Sequence, residues 1–219
     1  MSRLGIQFAI GGALLLGLLG VGGGFAIGAM GHSSDHSHTE SVSGPVAPGG
    51  ELEAYTYSPP KEIAGFTLTD QDGQPFSIDG AGKVRVVYIG YTNCPDVCPL
   101  TMINLKNVRQ RLGAQAGQVT FVMITADPAH DTPPVMKTFL SGFDTSFIGL
   151  SGGEQELARA WAEFGAPVNI EPAPDSAAGY SVSHPATLYV LNKNGQLAKK
   201  IPYGRTVAGI TDDVRGLLD

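Results

Sequence analysis

Two apolar runs, KVRVVYIGY at 83–91 and VTFVMITA at 119–126, constrain this chain more than any other feature. A strand with one wet face alternates apolar and polar residues, because successive side chains point to opposite faces. A run rich in β-branched and aromatic residues without that alternation belongs in a sheet covered on both sides. Between the runs, Leu100, Ile103, Leu105, Val108 and Leu112 recur at near-helical spacing, with Lys106, Arg109 and Arg111 elsewhere on the surface. That is an amphipathic helix between two buried strands, and it predicts an α/β domain.

The flanking segments extend the pattern. GFTLTDQDGQPFSI at 65–78 reads as two short strands joined by an Asp72-Gly73 turn, and ATLYVLNKNGQLAKKI at 186–201 as a hairpin turning at Asn194-Gly195. Helices are expected at 133–143, opening at Pro133 or Pro134, at 154–164 around Trp161, and at 207–218, with a short strand at 147–150. This order is that of a thioredoxin-like sheet with an added N-terminal β-hairpin, folded over residues 61–219. The composition, 42% hydrophobic and 16% charged, suits one such globular domain with something attached to it.

The attachment is N-terminal. Residues 5–30 hold no charged side chain and follow Arg3, and roughly 20 apolar residues suffice for a helix to cross a bilayer, whereas the apolar core of a cleaved signal has about 7 to 15. The expectation is one transmembrane helix with residues 1–4 as a short cytoplasmic end. The alternative is a signal peptide cleaved near Ala26 to Ala29, since Gly22 to Gly24 weaken a helix. Both export the remainder, and the anchor reading gives a single-pass protein of the inner membrane with its domain on the extracytoplasmic side. Residues 31–60, GHSSDHSHTE followed by SVSGPVAPGG and more, lack apolar periodicity and read as a flexible tether. His32, His36 and His38 with Asp35 could collect a metal ion there, and the alternative is polar filler. The formal net charge of −6 is mixed in sign along the chain, so the basic stripe that nucleic-acid binding requires is missing.

The chain has two cysteines, four apart in Cys94-Pro95-Asp96-Val97-Cys98-Pro99, directly after the first buried strand and before the helix. Ligands and reactive groups in open α/β sheets gather at the carboxyl ends of strands, and a helix start favours thiolate over thiol. Both thiols are therefore expected to ionise easily. Pro99 fits a first helical turn, which would make Cys98 the cap. Four readings of the pair stay open. A structural disulfide suits an exported domain, but so short a loop removes little denatured-state entropy. A thiol-disulfide oxidoreductase places its pair at this junction, usually with two intervening residues rather than three. A peroxidase is the third. The fourth, which the residues favour, is a Cu(I) site, because two soft thiolates with an imidazole from elsewhere suit a low-coordinate cuprous ion, while zinc normally takes four protein ligands.

Four segments in order, YIGYTNCPDVCPLTMINL at 88–105, ADPAHDTP at 126–133, FIGLSG at 147–152 and YSVSHPATLYVLNKNG at 180–195, resemble the Sco/SenC family of copper-binding cytochrome c oxidase assembly proteins. The resemblance implies a thioredoxin-like fold with Cu(I) held by Cys94, Cys98 and His184. It implies a metallochaperone that helps assemble the binuclear copper site of oxidase subunit II. The alternative is a membrane-anchored thiol-disulfide oxidoreductase that reduces cysteines of that subunit or of other exported proteins. The expected partners are subunit II, a membrane-bound thiol reductant that keeps the pair reduced in an oxidising compartment, and another copper chaperone as donor. The chain departs from the family at Ser183, where an aspartate often precedes the distal histidine, at Pro185, and at His130, which replaces a basic residue and reads as loop surface. Met102, one turn after Cys98, reads as core, and Asp127 and Asp131 as organisers of the loop after the second buried strand.

Overall fold

The computed structural model describes residues 52–79, 82–176 and 178–218. The expected cytoplasmic end, the anchor or signal at 5–30 and the tether histidines lie outside those residues. Among the described residues, no helix is long and apolar enough to cross a membrane. There they form ten strands, β1 (Tyr55–Lys61), β2 (Thr67–Asp70), β3 (Pro75–Ser77), β4 (Val84–Gly90), β5 (Val119–Thr125), β6 (Ile148–Ser151), β7 (Asn169–Pro172), β8 (Tyr180–Ser183), β9 (Leu188–Leu191) and β10 (Leu197–Ile201). The helices are α1 (Val97–Leu112), α2 (Pro133–Ser141), α3 (Glu154–Phe164) and α4 (Val207–Arg215).

Eight strands make one sheet in the order β1-β10-β9-β4-β5-β6-β2-β3, and β7 pairs with β8 apart from it. β4 runs parallel to β5 from Val84↔Val119 to Gly90↔Thr125 and antiparallel to β9. Every residue of β4 is buried, and its side chains sort by parity. Val84, Val86 and Tyr88 join the core under α1, α2 and α4, with Met102, Leu105, Met136, Leu140, Ile210 and Val214. Val87 and Ile89 join the core under α3, with Leu157, Ala160 and Phe164. Helices on both faces explain why the run lacks a regular apolar–polar alternation, and the result is the mixed α/β, thioredoxin-like fold that the pattern predicts.

The two hairpins turn where expected. Gly73 and Gly195 hold φ of 75° and 81°, a region that glycine enters without steric cost. Asp70 Oδ1 accepts from the amides of Asp72 and Gln74, and Asn192 Oδ1 from those of Asn194 and Gln196. The added hairpin, β2–β3, docks on the far edge of the sheet through β2 and β6.

Two expectations are corrected, and one further element is added. The domain does not begin at Lys61: residues 55–60, assigned to the tether, belong to the edge strand β1, which pairs with β10. Pro59 and Pro60 hid it, since proline cannot donate to a ladder, but an edge strand tolerates it. Helix α1 starts at Val97, with Asp96 as its N-cap, so Cys98 lies inside the first turn rather than capping it. Pro99 is accommodated because the first-turn N–H groups have no partner within the helix. The β7–β8 hairpin was not foreseen: β7 is exposed throughout, and the connection through Asp175, Ser176 and Gly179 shows no apolar rhythm.

Candidate metal centre

β4 ends at Gly90, and the chain crosses Tyr91 to Asp96 before entering α1, which carries both cysteines to the carboxyl end of the central strand. Both are free thiols, Cys94 partly exposed and Cys98 buried. The amide of Cys98 donates to Cys94 Sγ at 3.4 Å. Burial pushes the Cys94 thiol up, but the amides of Asp96 and Cys98 and the side chains of Cys98 and Tyr91 outweigh it, and its pKa falls below the ordinary thiol value. Cys98 goes the other way. Burial pushes it up to about 12, with the neighbouring Cys94 adding to the rise against hydrogen bonds from the Tyr88 hydroxyl and the Tyr91 amide. The expectation that both thiols ionise easily is therefore corrected: the helix start serves Cys94, whose sulfur lies over the first-turn amides, while Cys98 points into the core.

His184 follows β8, and its Nε2 stands 3.7 Å from Cys98 Sγ. The ring is edge-on to Tyr88 and Tyr91, at centroid distances of 6.0 and 5.7 Å. Nδ1 lies 3.3 Å from the Pro185 carbonyl. A carbonyl can only accept, so Nδ1 carries the proton and the Nε2 lone pair faces the sulfur. A backbone carbonyl thus takes the place of an outer carboxylate that Ser183 cannot supply. Burial pushes the His184 pKa down against the opposing pull of the Pro185 and Ile89 carbonyls, which favours neutral imidazole. The cis peptide bond among the described residues is Ser58–Pro59, so His184–Pro185 is trans.

The separation fits a shared ion. With metal–sulfur and metal–nitrogen lengths of about 2.3 and 2.0 Å, as for zinc, a trigonal centre would place its S and N donors roughly 3.7 Å apart. Among the described residues, no group of three or more His, Cys, Asp or Glu side chains is closed up as a metal site. Cys98 and His184 are brought together, and Cys94 Sγ lies beside them, accepting from the Cys98 amide.

The remaining candidates fall where their residue types suggest. Met102 is buried in the core. Asp131 accepts from the Thr92 amide and hydroxyl and from the Thr125 hydroxyl, tying the loops after β4 and β5 together. Asp127 accepts from Tyr180 and His130. Sequence reasoning passed over Tyr88, whose hydroxyl donates to Cys98 Sγ at 3.3 Å. It reads as core filler inside an apolar run, although its parity with Val84 and Val86 already put it on the face under α1.

Gly90 was also passed over. A Cβ there would collide with the Tyr88 ring and stand 3.1 Å from Cys98 Sγ. We expect Gly90→Ala to cost about 1–3 kcal/mol, as overpacking does. Urea unfolding of the variant tests this, and an unchanged midpoint would show that the ring yields freely.

Comparison with known proteins points the same way. The SCO1/SenC family model matches residues 55–219. A putative copper-binding protein of Stutzerimonas stutzeri is 36% identical over 161 residues, 73% of this chain and 78% of that protein. The mitochondrial protein SCO1 of Saccharomyces cerevisiae is 34% identical over 147 residues, 64% of this chain and 48% of that protein. The solved structure of Bradyrhizobium japonicum ScoI with copper bound superposes with a TM-score of 0.65 at 31% identity, covering 71% of this chain and 98% of that one.

Proposed function

The chain belongs to the SCO1/SenC family, and from that premise we propose that it carries Cu(I) on Cys94, Cys98 and His184 and passes it to the binuclear copper site of cytochrome c oxidase subunit II. The observation that carries this reading is the 3.7 Å approach of His184 Nε2 to Cys98 Sγ. A thiol pair can exchange disulfides without an imidazole, whereas a soft, low-coordinate site gains its third donor from one. The relative solved with copper bound supports copper as the cargo. The uncharged segment 5–30 supports a single-pass inner-membrane protein with its domain on the extracytoplasmic side. In that oxidising compartment the site needs a membrane-bound thiol reductant, and another copper chaperone as donor.

A second reading, a thiol reductase acting on subunit II or other exported proteins, is favoured by the asymmetry of the pair. The Cys94 thiolate would attack a target disulfide to form a mixed disulfide. Cys98, once deprotonated, would then displace the target, leaving two target thiols and a Cys94–Cys98 disulfide. The unequal exposure and acidity of the two sulfurs suit these roles.

Anaerobic titration of Cu(I) into the reduced full-length chain, against a chelator of known affinity, separates the readings. One ion per chain is expected, with His184→Ala weakening it at least about tenfold, roughly 1.4 kcal/mol, and blocking transfer to the copper domain of subunit II. Unweakened binding by His184→Ala, with disulfide reduction retained, would leave the reductase reading standing.

A further inference from the structure

We propose that Tyr180 is a latch that holds His184 within reach of the cysteines, a role that rests on reading His184 as a copper ligand. Among the described residues, β7–β8 has no ladder to the main sheet. Two strands of four residues are at best marginally stable in water without tertiary support. In β8 the residues facing the body are Tyr180 and Val182, while Ser181 and Ser183 are exposed. Val182 packs against the core under α3. The other inward residue, Tyr180, makes the polar attachment, four positions before His184.

That attachment joins three segments. The Tyr180 hydroxyl donates to Asp127 Oδ2 at 2.6 Å, in the loop after β5. It also accepts from Asn93 Nδ2 at 3.3 Å, next to Cys94. The Asp127 side chain is only 1% exposed and is also held by His130 Nδ1, 2.9 Å from Oδ1. The His130 ring stacks on Tyr180 at a centroid distance of 4.7 Å and an interplanar angle of 6°. A hydroxyl donated to a buried carboxylate makes a short, charge-assisted bond, stronger than a neutral one. The hydroxyl therefore ties the hairpin to the loop after β5 through Asp127 and to the cysteine loop through Asn93.

The consequence for binding is a population effect. If the hairpin holds His184 in place for only a fraction of the time, the apparent dissociation constant rises by the inverse of that fraction, with the thiolates untouched. Tyr180 is then a positioning residue acting through His184. Tyr180→Phe keeps the ring and its stacking on His130 and removes only the hydroxyl.

The test is a double-mutant cycle on the reduced full-length chain, with Cu(I) affinity read by chelator competition and hydrogen exchange of residues 180–183 read on the metal-free protein. Tyr180→Phe is expected to weaken Cu(I) about tenfold in the wild-type background, the loss of one charge-assisted bond, and to change nothing further in the His184→Ala background. Exchange in β8 should accelerate while that of β4 and β5 stays put. Equal losses in both backgrounds, or no loss where His184→Ala does weaken binding, would overturn the latch. Unchanged affinity in His184→Ala alone would overturn the reading of His184. The metal-free exchange then decides the latch, and unaltered exchange in β8 would overturn it.

Discussion

The chain with Cys94 and Cys98 joined in a disulfide is expected to bind essentially no Cu(I), and each single serine variant to bind it more than about 100-fold more weakly, since even changes outside the ligand shell cost 10–100-fold. A disulfide consumes both thiolates, the soft anionic donors, and leaves a neutral imidazole that cannot hold the ion alone. Serine is close in size to cysteine, so the fold should survive; its oxygen is hard and stays protonated. In Cys98→Ser, the Tyr88 hydroxyl that now donates to Cys98 Sγ would still find an acceptor, which keeps the loss attributable to the metal bond. Metal loading and oxidation should also exclude each other: copper-loaded chain should resist oxidants that convert the free thiols to the disulfide. The measurement is chelator competition on thiol form, disulfide form and both variants under anaerobic conditions. Undiminished binding by the disulfide form, or by either variant, would remove the two-thiolate site.

Phe164→Ala is expected to destabilise the fold by about 3–5 kcal/mol. Phe164 is fully buried at the end of α3. Its ring meets Phe66 edge-on at 6.1 Å and Tyr189 at 5.1 Å with a tilt of 43°. It therefore links α3, the approach to β2 and the strand β9 in one contact group. Cutting it to a methyl opens a cavity bounded by ring atoms on several elements, which cannot collapse together. For a domain of this size the melting temperature should drop by about 10 °C. Thermal unfolding in the thiol form is the test, and a drop of under about 3 °C would mean that the core around α3 closes over the gap.

Much of this protein can be read locally. The parity of β4, the helical spacing of Leu105, Val108 and Leu112, and the turns at Gly73 and Gly195 depend on neighbours in sequence, so the α/β architecture and its order follow from residue patterns. The place of Cys94 and Cys98 at a strand end and helix start follows as well. His184 carries no such signature, since a single histidine after a polar hairpin looks like any exposed residue. It was singled out through the resemblance of the surrounding YSVSHPATLYVLNKNG segment to a known family.

The sequence by itself determined which elements form and where the thiol pair must lie, because backbone dihedrals and side-chain period are set within a few residues. Tertiary structure alone decided that residues 86 apart would meet as Cys98 and His184, that Tyr55–Lys61 would be a strand, and that Tyr180 would reach Asp127. It also decided that two identical thiols would differ, Cys94 exposed to first-turn amides and Cys98 sealed beneath Tyr88. Pairing between distant strands and the removal of a group from water depend on what packs around it, and that is a property of the assembled sheet and its helices rather than of any residue's own chemistry.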